Sequence, residues 1–313
     1  MIQLPATIRV VEVGPRDGLQ SFPRHVDTDT KVRLIDRLSR AGLPTIEVTG
    51  FAHPKVIPNL SDAADVCERI ERRAGTVYRG LVPNAYGARR AAASRLDELL
   101  GLIIMSATYL RKNQNRSLEQ AADEAVESFR IAEQAGMDFV MALGGSFWCP
   151  YEGRIAETHV LQMLRRLRNA GIRRFYLAGS VGMEDPRHVN ELFARAYDAH
   201  PDIELGFHVH NLSGMAPANI LAALDAGAQW IEGAVCGIGG GIAMPAEVGA
   251  VGNFPTEDLV SMLELMGVRT GVEPGEMLAA AHDVAALLEI SPRSRTGNGL
   301  TRENVRKAPD RVD

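Results

Sequence analysis

The sequence predicts a (β/α)8 barrel followed by a short helical extension. Eight short, β-rich runs alternate with longer amphipathic stretches along the 313 residues, and this alternation is typical of a parallel sheet with helices on its outer faces. Several of the runs are almost continuously apolar, as expected for strands that are buried on both faces. The count of eight favours a closed barrel, and a doubly wound open sheet is the alternative.

The predicted elements follow one another without a linker of low complexity. The strands are expected at residues 8–14, 45–51, 77–83, 98–105, 138–143, 174–179, 204–211 and 230–237. Helices are expected at 30–41, 118–135, 158–170, 186–199 and 216–226, where apolar residues recur at helical spacing. Four of these helices are followed by a glycine, at 42, 136, 171 and 227, which can take the left-handed conformation that closes a helix.

The C-terminal part adds two further helices, predicted at 256–266 and 274–289. We therefore expect residues 1–290 to form one catalytic barrel with its C-terminal helices. Residues 291–313 are polar and are predicted to be a loose tail.

Composition and charge exclude several classes of protein. With 46% apolar and 23% charged residues the chain has an ordinary globular profile. The net charge of 34 − 39 = −5 gives no reason to expect nucleic acid or an anionic membrane as a partner. No apolar run is long enough to span a bilayer, and the first residues do not resemble a secretory signal. Three widely spaced cysteines fit a reducing compartment, so we expect a cytoplasmic protein.

Four polar residues near predicted strand ends suggest a metal site, because catalysis in barrels gathers at the carboxyl ends of the strands. His208 and His210 are two apart on one strand, so their side chains share a face and can hold a divalent cation together. Asp17 offers an anionic oxygen and Asn253 a neutral one. Taken singly, Asp17 and Asn253 are typical turn residues, but their common placement favours the site.

Three further features of the sequence suit an active site. Arg16, beside Asp17, can hold a carboxylate or stabilise an enolate oxygen, although a surface salt bridge is the alternative. Glu47 lies within a strand, where a buried carboxylate needs a partner such as Arg16 or a histidine of the metal site. The glycine run 237–241 is compatible with a mobile lid, a phosphate-binding loop or a plain linker.

The motif VEVGPRDGLQ at residues 11–20 resembles the opening motif of the 3-hydroxy-3-methylglutaryl-CoA lyases. The similarity continues through residues 31–47, 113–117, 149–153 and the strand with His208 and His210, and it reaches the segment GNFPTEDLV. This family is part of a superfamily of metal-dependent TIM-barrel lyases, aldolases and Claisen-type condensing enzymes. The resemblance therefore implies a barrel that cleaves or forms a carbon–carbon bond.

The resemblance also implies a ligand set and a reaction. Mg²⁺ or Mn²⁺ would be held by Asp17, His208, His210 and Asn253. The cation would bind the 3-hydroxyl of a 3-hydroxyacyl-CoA, and His208 or a water at the cation would take the proton. Cleavage would then give acetyl-CoA and a keto acid through an enolate.

Other residues receive supporting roles by the same resemblance. Arg16 matches the arginine that stabilises the enolate, and Glu47 matches a glutamate that supports the site. Arg24 stands near the position of a lysine associated with CoA phosphates, and Gly239 and Gly240 are the candidate contacts of the glycine loop with the acyl-CoA. A homodimer is expected on the same basis.

Three departures from the family pattern concern the handling of protons. The lyases carry a cysteine where this chain has Gly241, and an aspartate where it has Gly179. Asn211 follows the second histidine, as in the condensing enzymes, where the lyases have aspartate. Cys236 is five residues from the vacant position and is interpreted as a small core residue. Water, Ser180 or Ser213 are the alternatives for the proton donor.

Three functions are compatible with this pattern. The first is a metal-dependent lyase acting on 3-hydroxy-3-methylglutaryl-CoA or a related 3-hydroxyacyl-CoA. The second is an aldolase or condensing enzyme that uses the same enolate. The third is a protein without catalytic activity that binds a metal and an acyl-CoA.

Overall fold

Eight parallel strands close into a barrel in the computed structural model, which describes residues 2–245, 248, 251–299 and 301–306. The barrel strands are β1 (Arg9–Glu12), β2 (Thr45–Gly50), β3 (Val77–Val82), β4 (Glu98–Ile104), β5 (Asp138–Gly144), β8 (Arg174–Gly179), β9 (Glu204–Val209) and β10 (Trp230–Gly233). They lie side by side in this order, and β10 pairs with β1 to close the sheet. The predicted (β/α)8 fold and all eight predicted strands are confirmed. A small antiparallel hairpin, β6 (Trp148–Cys149) and β7 (Gly153–Arg154), interrupts the sequence of barrel strands.

The helices cover the outside of the barrel and extend it at the C-terminus. They are α1 (Thr28–Arg40), α2 (Ala63–Arg69), α3 (Ala85–Ala92), α4 (Ala107–Gln114), α5 (Leu118–Gln134), α6 (Glu157–Asn169), α7 (Pro186–Ala199), α8 (Ala216–Asp225), α9 (Thr256–Leu265), α10 (Pro274–Leu288), α11 (Arg295–Asn298) and α12 (Arg302–Arg306). All seven predicted helices are confirmed, with ends that differ by two residues at most. None of the helices in the described ranges combines the length and apolarity that crossing a bilayer requires.

Local side-chain chemistry explains where the helices begin and end. The Asp27 carboxylate accepts a hydrogen bond from the Thr30 backbone N–H at 2.9 Å, which caps α1. Ser117 and Gln120 form a reciprocal capping box at the start of α5. The four glycines predicted to close helices, at 42, 136, 171 and 227, all have positive φ, between 68° and 112°.

Charged side chains fill part of the barrel interior. Arg79 is 1% exposed, and its guanidinium donates to Glu98 Oε2 at 2.5 Å and to Glu232 Oε1 at 2.8 Å. Buried charges are costly unless they are paired, and these three groups satisfy one another. Glu232 continues this chain of contacts to His208 on the neighbouring strand β9, so the interior network leads to the carboxyl end of the barrel.

The segment after α10 packs against the loop that follows β10. The backbone N–H of Arg293 donates to Cys236 O at 2.9 Å. The Asp258 carboxylate accepts the backbone N–H groups of Arg295 and Thr296, each at 2.8 Å. These contacts tie residues 293–296 to the barrel, while the division of the chain at residue 290 stays a prediction.

Candidate active site

Arg16 and Asp17 enter the barrel mouth from a tight turn, Gly14–Gly18, directly after β1. The backbone N–H of Asp17 donates to Val13 O at 2.7 Å, and the buried Glu12 carboxylate accepts the Gly14 N–H at 2.6 Å. A Cβ on Gly14 would lie only 2.6 Å from Glu12 Oε1, so the turn needs glycine there. Both Arg16 and Asp17 are buried as a result, at 4% and 5% exposure.

His208 and His210 direct their outer ring nitrogens at each other. Nδ1 of His208 contacts Glu232 Oε2 at 3.1 Å, and Nδ1 of His210 contacts Val251 O at 3.1 Å. When both rings are neutral and Nδ1 donates in each, both Nε2 atoms carry lone pairs, and they are 3.1 Å apart. Burial and the neighbouring His208 lower the pKa of His210 to about 4, so this imidazole is neutral at pH 7. Two facing lone pairs are the arrangement that a shared cation stabilises.

The four residues predicted as metal ligands lie together. Ligand atoms of Asp17, His208 and His210 all fall within 4.8 Å of one another. Asn253 Nδ2 donates to Asp17 Oδ2 at 2.7 Å, whereas its buried Oδ1 has no hydrogen-bond partner among the described residues. Burial raises the pKa of Asp17, but Arg16 and the two histidines outweigh it and leave that pKa below its ordinary value. Two imidazoles, a carboxylate and a free amide oxygen fit a divalent cation.

Arg16 lies between two carboxylates at the same end of the barrel. Its Nη1 donates to Asp17 Oδ1 at 2.8 Å, and its Nε donates to Glu47 Oε1. Glu47 is fully buried in β2, and its Oε2 has no hydrogen-bond partner within the described ranges. The guanidinium is therefore fixed beside the predicted cation position, where it can meet negative charge on a substrate.

A cavity of about 220 Å³ opens over these groups. Arg16, Asp17, His208 and His210 form its charged end. The remaining wall is mainly apolar and includes Val56, Ile57, Leu81, Leu102, Ile104, Ile242 and Met244. A small ligand with a polar end and an apolar body suits this shape.

The glycine loop lies directly over the predicted metal ligands. A Cβ on Gly239 would be 2.1 Å from Asn253 Nδ2 and 3.1 Å from Asp17 Oδ2. The carbonyl of Gly240 accepts the Ser21 hydroxyl at 2.9 Å. The loop thus closes one side of the site, while contacts of Gly239 and Gly240 with an acyl-CoA stay a prediction.

Arg24 is placed away from these groups. Its Nη2 donates to Leu288 O at 2.5 Å, at the end of α10, and its guanidinium is 3.3 Å from the Glu289 carboxylate. Arg24 is not one of the residues that line the cavity. The structure therefore does not bring Arg24 together with the other predicted site residues.

Glu184 occupies the space beside Gly179, the position at which the resemblance implies an aspartate. A Cβ on Gly179 would lie 2.0 Å from Glu184 Oε1, so this carboxyl fills the volume that a side chain there would need. Both oxygens of Glu184 are buried without a hydrogen-bond partner in the described part of the chain. No pattern in the sequence pointed to this carboxyl, because Glu184 comes from a loop after β8 with no recognisable motif.

The other departures from the family pattern have distinct structural settings. Ser180 lines the cavity, and its Oγ accepts the Gly145 N–H at 2.8 Å, whereas Ser213 does not line it. Asn211 Oδ1 accepts the Ala216 N–H at 3.2 Å at the start of α8. The Cys236 thiol donates to Ala281 O at 3.2 Å and is buried outside the cavity. Of these four residues, only Ser180 faces the cavity.

Gly239→Ala is expected to weaken divalent-metal binding by about 10- to 100-fold, because the new methyl group would displace Asn253. Gly136→Ala is the matched control, since Gly136 also has positive φ but nothing lies within 4 Å of its Cβ position. Calorimetric titration with Mn²⁺ measures both variants. Equal affinities for Mn²⁺ in the two variants would show that the approach of the loop to Asn253 is irrelevant to the site.

Glu184→Gln is expected to reduce the decline of the free energy of unfolding between pH 5 and pH 8. Burial raises the pKa of Glu184 from 4.5 to about 7, so the folded protein binds this proton more tightly than the unfolded chain. This contribution is complete below pH 4.5 and is lost as the pH rises through 7, by up to about 3 kcal/mol. Chemical unfolding in EDTA from pH 5 to 8 measures it, with the exposed Glu133→Gln as control. A decline as steep as that of the wild type would contradict the assignment.

Comparison with known proteins finds relatives among the hydroxymethylglutaryl-CoA lyases. The family model HMGL-like matches residues 7–284. The mitochondrial hydroxymethylglutaryl-CoA lyase of Mus musculus is 35% identical over 292 residues, which cover 93% of this chain and 89% of that protein. The hydroxymethylglutaryl-CoA lyase of Bacillus subtilis is 35% identical over 277 residues, which cover 88% of this chain and 92% of that protein. A solved HMG-CoA lyase of Acinetobacter baumannii, in complex with coenzyme A and 3-methylmalate, superposes with a TM-score of 0.89 at 33% identity, covering 96% of this chain and 98% of that one.

Proposed function

Because the chain belongs to the HMG-CoA lyase-like family of carbon–carbon lyases, we propose that it cleaves a 3-hydroxyacyl-CoA of the 3-hydroxy-3-methylglutaryl-CoA type into acetyl-CoA and a keto acid, with a divalent cation as cofactor. The observation that carries this proposal is that Arg16, Asp17, His208 and His210 lie together at one end of the cavity. Cleavage requires that the 3-hydroxyl loses its proton and that the enolate oxygen meets a positive charge. The predicted metal ligands serve the first requirement, and Arg16 serves the second.

The predicted cofactor is Mg²⁺ or Mn²⁺, held by Asp17, His208, His210 and Asn253. When bound, the cation lowers the pKa of the substrate hydroxyl and orients it. The hydroxyl proton goes to a water molecule or to His208; because Nδ1 of His208 already donates to Glu232, the imidazole can take the proton only while its Nε2 is not bound to the cation. Burial lowers the pKa of His208, but the hydrogen bond from Nδ1 to Glu232 and the charges of Asp17 and Glu232 outweigh burial and raise the pKa above its ordinary value.

Arg16 acts on the charge that develops when the carbon–carbon bond breaks. Cleavage leaves the electron pair on the thioester fragment as an enolate, and a fixed guanidinium stabilises that oxygen without reorganising at the moment of reaction. Glu47 and Asp17 hold the guanidinium in place from two sides. Glu47 therefore serves to position Arg16, and Arg16 touches the reacting atoms.

The acyl-CoA assignment rests on the relatives and on the cavity. The Acinetobacter baumannii relative was solved with coenzyme A, and the apolar wall here suits the carbon skeleton of an acyl group. Incubation with 3-hydroxy-3-methylglutaryl-CoA, and with 3-hydroxyacyl-CoAs that carry longer apolar 3-substituents, tests the substrate class. We expect acetyl-CoA release from at least one of them at about 1 per second or faster.

The alternative reaction has a distinct outcome in the same assay. Consumption of acetyl-CoA in the presence of a 2-oxo acid, with no release from any 3-hydroxyacyl-CoA, would contradict the proposed direction and indicate a condensing enzyme. A cytoplasmic homodimer stays a prediction, and light scattering of the purified protein tests its oligomeric part.

A further inference from the structure

We propose that the hydroxyl of Tyr109 is the proton donor that converts the enolate into acetyl-CoA, so that Tyr109 is a catalytic residue. This inference rests on the proposed function, because the reaction must form an enolate for a donor to be needed. Cleavage moves the electron pair of the C2–C3 bond onto the thioester fragment, while the 3-hydroxyl loses its proton and becomes a ketone. C2 must then gain one proton, and the group that supplies it has to line the cavity.

The placement of Tyr109 meets that requirement. Tyr109 lies in the first turn of α4, where its backbone N–H donates to the Ser106 hydroxyl at 3.1 Å. Its ring packs on Tyr151, with centroids 5.8 Å apart. The side chain is buried and lines the same cavity as Arg16, Asp17 and the two histidines. The hydroxyl is therefore fixed at the cavity wall.

The Tyr109 hydroxyl also lies next to Gly241, in the glycine loop. A Cβ on Gly241 would lie 2.5 Å from Met244 Cε and 2.7 Å from Tyr109 Oη, so the phenol and the flexible Met244 side chain together fill the space into which a residue at 241 would project. Tyr109 Oη now donates to Ile242 O at 2.9 Å. This O–H group can turn from the carbonyl to a substrate carbon, and the tyrosinate left behind takes a proton from water at the half-buried loop.

Other hydroxyl groups in the cavity are less suited to the step. Ser180 Oγ accepts the Gly145 N–H at 2.8 Å, which leaves its O–H free to donate, but an aliphatic hydroxyl is a weaker acid than a phenol. Tyr176 stacks on His208 at 5.6 Å and is buried on the barrel strand β8, among the charges of Arg16 and Glu47. Tyr176 therefore lies beside the predicted positions of the cation and the enolate oxygen. Tyr109 instead comes from α4, and its hydroxyl contacts the loop that closes one side of the cavity.

Tyr109→Phe removes the hydroxyl and little else. We expect kcat for acetyl-CoA release to fall by about 10²- to 10⁴-fold, the usual range for a general acid, with KM changed less than threefold. Tyr151→Phe is the matched control, because its hydroxyl donates to the adjacent loop carbonyl, Ala243 O, at 2.7 Å but does not line the cavity. We expect Tyr151→Phe to keep kcat within threefold of the wild type. If both hydroxyls only anchor the loop, the two variants will lose activity equally, with a rise in KM.

Rescue provides the second readout. In the Tyr109→Phe background the space beside position 241 is free of the hydroxyl, so Gly241→Cys can supply another acidic hydrogen, whereas Gly241→Ala fills space alone. We expect the cysteine double variant to exceed the alanine double variant at least tenfold in kcat.

The activities of these variants test the role of Tyr109. The inference is overturned if Tyr109→Phe stays within tenfold of the wild type, if Tyr151→Phe or Tyr176→Phe loses as much as Tyr109→Phe, or if the two double variants turn over equally. If the wild type cleaves 3-hydroxyacyl-CoAs and Tyr109→Phe cleaves them equally fast, the inference fails while the proposed function stands. A wild type that cleaves none of them overturns the proposed function and, with it, this inference.

Discussion

His210→Ala is expected to abolish metal-dependent turnover and to weaken Mn²⁺ binding by more than about 100-fold. Loss of a partner that only orients a ligand already costs 10- to 100-fold, and His210 faces the predicted cation position directly. Its neutral imidazole offers Nε2, 3.1 Å from that of His208 and 3.8 Å from Asp17 Oδ2. Isothermal titration with Mn²⁺ and the acetyl-CoA assay measure the two effects.

The control for His210→Ala is His188→Ala. His188 is also a buried imidazole, 3% exposed, but it lies on α7 against Phe147 and does not line the cavity. Both variants lose buried volume, so a comparison of their unfolding temperatures separates stability from metal binding. Retention of metal-dependent turnover in His210→Ala would remove this residue from the ligand set.

Arg16→Met is expected to lower kcat by about 10²- to 10³-fold or more, because it deletes the fixed positive charge beside the predicted enolate. The same change leaves the fully buried Glu47 carboxylate without the guanidinium that now pairs with it. Breaking a buried ion pair from one side costs about 3–5 kcal/mol. Arg16→Met is therefore expected to reduce both the activity and the free energy of unfolding.

The double variant Arg16→Met with Glu47→Gln separates these two effects. Neutral glutamine removes the unpaired charge at position 47, while Asp17 loses Arg16 but keeps the hydrogen bond from Asn253, so we expect part of the lost stability to return while kcat stays low. Urea unfolding and the acetyl-CoA assay on the single and double variants measure this. If activity returned together with stability, Arg16 would be a structural partner of Glu47 and nothing more.

Much of the fold could be predicted because its signals are local. Buried parallel strands appear as apolar runs, and helices such as α1 and α5 carry an apolar stripe, a capping side chain and a closing glycine. The short helices α2, α3, α4, α11 and α12 and the β6–β7 hairpin were not predicted. Helix α3, with the sequence AYGARRAA, is short and buries only small residues, and its start is fixed by the Asn84 side chain, which accepts the Gly87 N–H.

The site was predictable where strand geometry sets the position of a side chain. His208 and His210 share a face because strands alternate, and Asp17 follows β1 at the barrel end where parallel strands converge. Tyr109 and Glu184 could not be found in this way, since they come from a helix and a loop whose packing depends on distant residues. The assignment of Arg24 to CoA phosphates stays a prediction, since its side chain contacts the end of α10 and does not line the cavity.

The central claim is that a divalent cation at the barrel mouth drives cleavage of a 3-hydroxyacyl-CoA. Its most direct test is acetyl-CoA release from 3-hydroxy-3-methylglutaryl-CoA and from the related 3-hydroxyacyl-CoAs by the purified protein, with Mg²⁺ or Mn²⁺, after addition of EDTA, and after the cation is restored in excess. We predict turnover of about 1 per second or faster with the cation, loss of turnover in EDTA and full recovery afterwards. Turnover that is undiminished by EDTA, or no release from a protein shown to bind the cation, would contradict the claim.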